Sequence, residues 1–187
     1  MSNLQIQLQA FKRKGDIRQI FMNNLQHAKI SIETLGGFKP TLFVVTDRTI
    51  IYIMLDTDFA TERNCSPNDQ VEPLLEQLGK MEDKFGVIEG YQVIGEAWLK
   101  VFKKSSMPKL KHGDIAEMAG RIEILTSVEI RRGYDRKFEN FEIIRHETSD
   151  KVKEFKPYGD KNAKWDSTKF PRLPKTRFTW RGDVGNE

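Results

Sequence analysis

The chain has 187 residues, a formal net charge of +4, 38% hydrophobic and 31% charged residues, and one cysteine, Cys65. A single cysteine excludes an intrachain disulfide, and with it the small disulfide-stapled scaffolds of secreted proteins. The length suits one domain plus an extension, since a domain of about 150 residues buries roughly 68–70% of its unfolded surface.

The opening residues, Met1-Ser2-Asn3-Leu4-Gln5, lack the basic-then-apolar pattern of a signal peptide. The longest apolar block, residues 50–55, is far shorter than the ~20 residues that cross a bilayer. A cytoplasmic protein with no membrane partner is therefore expected.

In chain order, Leu4, Leu8 and Phe11 fall at helical spacing, with Ser2 and Gln5 as a capping pair, and predict a first helix. Asp16 can cap a second, running to about His27 with Ile17, Ile20, Phe21 and Leu25 inward; one kinked helix fits the same pattern. Gly36, Gly37 and Pro40 break the chain. Residues 41–46 and 49–55 form a β-hairpin turning at Asp47-Arg48, and the doubly apolar second arm is expected inside the sheet. Residues 56–64 read as polar loop. Ser66-Pro67 then starts a helix with Val71, Leu74, Leu75, Leu78, Met81 and Phe85 on one stripe. Pro73 delays its regular part, and Gly86 ends it.

Residues 91–102 alternate as a long strand, with Ile94, Glu96 and Trp98 on one face. Residues 121–132 and 138–145 form a second hairpin. The expected fold is α+β: a single domain, residues 1–150, with a mainly antiparallel sheet of about five strands and helices packed on one face. Leu74, Leu78, Trp98, Ile124, Val128 and Phe141 are the expected core.

No sequence pattern marks a catalytic, metal or cofactor site. His27, His112 and His146 are too scattered for a zinc site, and no H-E-x-x-H is present. Cys65 precedes a helix start, which can acidify a thiol, but no base is paired with it in sequence. Glu154-Phe155-Lys156 has an E-x-K spacing without the second carboxylate that a metal-dependent nuclease requires. Glu96, between Ile94 and Trp98, is a carboxylate on a partly apolar face. Burial there would raise its pKa, and a pairing with Arg121 or Arg131 is the structural alternative.

Residues 151–187 hold ten Lys or Arg against five Asp or Glu, a net +5 that leaves −1 for the rest. They form a C-terminal extension in which rings and cations interleave: Lys164-Trp165, Lys169-Phe170-Pro171-Arg172 and Arg177-Phe178-Thr179-Trp180-Arg181. Disordered segments are poor in aromatics, so this mixture has a purpose. Trp and Arg dominate protein-interface hot spots, whereas nucleic-acid binders set cations on phosphates and rings on bases. The extension therefore suggests a non-enzymatic accessory protein docking on a protein partner or on itself. A nucleic-acid-binding accessory protein is the alternative, and a small hydrolase or nuclease the second. The structural alternative is an extension wrapped over its own domain.

Overall fold

The computed structural model describes residues 7–100, 114–134 and 136–159. Seven strands, β1 (Gln7–Lys12), β2 (Thr41–Thr46), β3 (Thr49–Met54), β4 (Ile88–Leu99), β5 (Ile122–Arg131), β6 (Lys137–Arg145) and β7 (Val152–Pro157), form one sheet. Its order is β1-β3-β2-β4-β5-β6-β7, and every neighbouring pair is antiparallel. Four helices accompany it: α1 (Ile17–Leu35), α2 (Thr57–Glu62), α3 (Val71–Gly79) and the single turn α4 (Glu82–Phe85). The α+β class stands, with seven strands rather than five.

The helices lie on both faces of the sheet, not on one. Leu42 and Val44 of β2 pack with Ile51 and Ile53 of β3 and with Val71, Leu74, Leu75 and Leu78 of α3. Their alternates Phe43 and Val45 pack toward α1, through Leu25, Ala28 and Ile32 and through Ile20 and Phe21 respectively. Side chains of a strand alternate between faces, so α1 and α3 must cover opposite sides. β2 is accordingly buried along its whole length. The topology explains the arrangement. β1 connects to β2 through α1 and skips over β3; β3 connects to β4 through α2–α4 and skips over β2. The two crossovers step the same way along the sheet from strands of opposite direction. Helices on opposite faces give both the same hand, as the preference for one crossover hand requires.

Local chemistry accounts for most boundaries. The Asp16 side chain accepts from the Arg18 amide at the start of α1, and Gly36, with φ 83°, donates to the Ile32 carbonyl at its end. α1 thus extends eight residues past His27. Ser66 caps a 3-10 turn, Pro67–Gln70, that runs into α3. Pro73 is the third residue of α3, where no intrahelical N–H bond is needed, so it does not delay the helix. α3 stops at Gly79, and the expected long helix to Gly86 resumes only as α4. Residues 57–62, expected as loop, form α2 on an Asp56 cap that accepts from the Phe59 amide.

Residues 7–12, expected in a helix, are strand β1 along the edge of the sheet. Phe11 meets the Tyr52 ring edge-on at 5.4 Å. Strand β7 takes six residues expected in the extension and pairs with β6. Leu74, Leu78, Ile124 and Val128 are buried as expected and Phe141 is half-buried. Trp98 is 40% exposed and stacks under the Arg121 guanidinium instead of entering the core. Among the described residues, no helix is long and apolar enough to cross a membrane.

Candidate functional site

Two features on the α1 face of the sheet bring polar groups together. The first is an ionic cluster at the C-terminal end of α1. Arg145 of β6 grips Glu123 of β5 with two parallel bonds, Nε to Oε2 at 2.8 Å and Nη2 to Oε1 at 2.5 Å. Its remaining N–H groups donate to the carbonyls of Asp150 at 2.6 Å and Gly36 at 3.3 Å. Glu96 of β4 is half-buried and accepts from the Phe38 amide. Burial pushes its carboxyl above the ordinary range, and the nearby Glu123 carboxylate adds to the rise, while the Phe38 bond and Arg145 pull the other way. The sequence left a raised pKa open beside a pairing with Arg121 or Arg131; the direction is upward, and the neighbouring arginine is Arg145. Every charged group here is engaged by another part of the fold, which makes the cluster a clamp between α1, the loop after it and three strands.

The second feature is an open groove of about 330 Å³ between α1 and the β1-β3-β2 end of the sheet. Phe38, Phe43 and Tyr52 supply rings, Met54 a thioether, and Gln7, Gln9, Asn24, His27 and Thr41 the polar groups. Phe43 and Tyr52 meet edge-to-face at 5.0 Å, which fixes the groove's inner wall. Asn24 and His27 are one turn apart on α1 and so share a face. Burial raises the Tyr52 phenol above its ordinary value, so it stays protonated at neutral pH.

Asn24 is 5% exposed and rests on a buried network. Gln92 of β4 is fully buried; its Nε2 donates to the Phe21 carbonyl at 3.1 Å and to Ser127 Oγ at 3.0 Å. Its Oε1 accepts from Asn24 Nδ2 at 3.2 Å. Little in the spacing of residues along the chain points to this site. Its one legible mark is Asn24, a polar residue on the otherwise apolar stripe of Ile20, Phe21, Leu25 and Ala28.

The other residues singled out in the sequence do not converge. Cys65 is a half-buried free thiol at the 3-10 turn, and His146 is exposed at the β6–β7 turn. His27 is exposed at the groove. Glu154 is exposed on β7. Among the described residues, no three His, Cys, Asp or Glu side chains are grouped to hold a metal ion. His112 and the extension residues Lys164, Trp165, Lys169, Phe170, Arg172, Arg177, Phe178, Trp180 and Arg181 lie outside the described residues. Phe155, counted with the extension's rings, packs on the domain beside Phe141, with the Lys29 ammonium 3.5 Å from the Phe141 ring centre and 5.6 Å from that of Phe155. Burial lowers the Lys29 pKa, partly opposed by Glu139 and Glu33.

No known family model, curated protein or solved structure matches the chain.

Proposed function

We propose that the protein works by binding: the α+β domain is an anchor, and the C-terminal extension docks on a protein partner through Trp165, Phe178 and Trp180. The observation that carries this reading is the composition after Gly159. Residues 160–187 contain four large rings set among seven Lys or Arg and only four Asp or Glu. Aromatic anchors flanked by arginine match what protein interfaces use at their energetic centres. The fold supports it by the place from which the extension leaves. β7 is an edge strand, and Tyr158 still donates to the Asn140 carbonyl at 2.8 Å, so the chain is tied to the sheet just before the extension starts.

The same cations favour a second reading, in which the extension binds nucleic acid, because a net positive segment with interleaved rings suits a single strand. Affinity capture with the full-length chain distinguishes the two. The protein-partner reading expects a partner retained after nuclease treatment and lost when Trp165, Phe178 and Trp180 are changed to Ala together. Retention by that triple variant, with its thermal stability unchanged, contradicts it. A marked fall in melting temperature without any change in binding assigns the rings to the domain's own stability.

A further inference from the structure

We infer that the groove between α1 and the β1-β3-β2 strands is a binding site for a neutral, purine-sized heteroaromatic compound. It does not rest on the function proposed above.

The chemistry follows from one chain of hydrogen bonds. The Phe21 carbonyl can only accept, so the amide of Gln92 must turn its nitrogen toward it. Gln92 Oε1 is therefore an acceptor, and Asn24 must present its own nitrogen to it. That fixes Asn24 Oδ1 on the other side. This oxygen has no hydrogen bond among the described residues, although the residue is 5% exposed. No solvent-sealed side-chain polar atom among the described residues lacks a partner, so Oδ1 keeps its access to the groove that Asn24 lines. An acceptor held in place by its own support and open to the groove is met by water when the groove is empty, and offers a fixed point for an N–H or O–H donor of a ligand that displaces that water.

The walls narrow the choice. Phe38 and Tyr52, both half-buried, add aromatic surface to the wall, with buried Phe43 behind them. Among the described residues the Tyr52 hydroxyl has no partner, and His27 adds a second polar group at the mouth. Among the described residues no Asp, Glu, Lys or Arg lines the groove, so the part of the ligand that enters is taken to carry no net charge. A volume of about 330 Å³ is at the small end of the ~300–1,000 Å³ typical of ligand pockets. An Asn amide pairs in bidentate fashion with an adjacent amino group and ring nitrogen, the edge that adenine presents. Asn24 has Oδ1 and one N–H left for such an edge.

The test uses the full-length protein and four probes in calorimetry or ligand-observed NMR: adenine, adenosine, toluene as an apolar ring, and benzoate as an anionic one. Adenine or adenosine should bind saturably, with toluene and benzoate at least tenfold weaker. Tyr52→Phe, which removes one oxygen and keeps the ring, should weaken adenine binding about five- to tenfold, the size of one lost hydrogen bond. His27→Ala, at an exposed position, should weaken it while leaving the fold intact. Changing Trp165 and Trp180 to Ala should leave it unaltered. The inference is overturned if no probe containing adenine binds at millimolar concentration, or if toluene binds as well as adenine. It is equally overturned if Tyr52→Phe and His27→Ala leave adenine affinity unchanged, or if affinity depends instead on Trp165 and Trp180.

Discussion

Gln92, on the central strand β4, donates its side-chain amide to the main-chain carbonyl of Phe21 in α1 at 3.1 Å. Phe21 and Gln92 are both fully buried, so this bond joins helix to sheet inside the core. A buried polar group is costly unless satisfied, and here Ser127 and Asn24 complete the set.

Removing the centre of that network should cost more than its one side chain suggests. Gln92→Leu leaves Asn24 Nδ2 and Ser127 Oγ without their partner, at about 1–3 kcal/mol for each unsatisfied group. Adding Asn24→Leu should recover part of the loss, because removal of both partners is less costly than removal of one. Urea denaturation of the two single variants and the double variant gives the coupling directly; simple additivity would contradict the network.

The α3 face provides a second test. Leu78→Ala should destabilise by about 2–5 kcal/mol, the range for large-to-small changes in a core. Leu78 is 4% exposed among Leu74, Leu75, Val71 and the sheet residues of that face. Trp98→Ala should cost less, since Trp98 is 40% exposed beside the Arg121 guanidinium and is absent from the core clusters. Comparable losses for the two would contradict the placement of Trp98 at the surface.

Glu96 sets a pH dependence whose sign can be stated. Its pKa in the fold is raised, chiefly by burial, so between the ordinary carboxylate value and the raised one the folded state holds more protons than the unfolded state. Stability from this group is then fully present below the unfolded pKa and is lost as pH rises through the folded value. Buried Glu129 is raised too, again first by burial, and acts in the same direction. Glu96→Gln keeps an acceptor for the Phe38 amide and removes the titrating carboxyl from beside Glu123. It should flatten the pH dependence of the melting temperature across the mildly acidic range and leave stability at pH 7 equal or higher. A steeper dependence, or clear destabilisation at pH 7, would contradict the assignment.

The hairpins β2–β3 and β5–β6 were legible because β-branched and aromatic residues run between clear turns. The continuous run Leu42-Phe43-Val44-Val45 also held the sign of a strand covered on both faces, but it shows only once α1 and α3 are placed. β1 was misread because Leu4, Leu8 and Phe11 fit a helical period, while Gln7-Leu8-Gln9-Ala10 fits a strand equally well over so short a stretch. Pairing with β3 decided between them. β7 went unseen because Val152 and Phe155 are the only apolar side chains in a charged segment, and their burial depends on Phe141 and Ile143 from β6. The groove was the least legible part. Its residues come from β1, α1, the loop after it, β2 and β3, and nothing in their spacing along the chain predicts the meeting.

β7 also gives a local test of where the domain ends. Phe155→Ala should remove a ring from the Phe141–Lys29 contact and speed hydrogen exchange in β7, while β2 and β4 keep their protection. Unchanged exchange in β7 would show that Phe155 does not hold the strand.

The salt dependence of partner binding by the full-length chain tests the central claim most directly. Docking through aromatic anchors predicts a weak dependence on ionic strength, a loss of binding when Trp165, Phe178 and Trp180 become Ala, and a small effect when Lys169, Arg172 and Arg177 become Ala. A steep fall, with a slope of about −0.7 per neutralised phosphate that flattens when those three cations are removed, would contradict it and assign the extension to single-stranded nucleic acid.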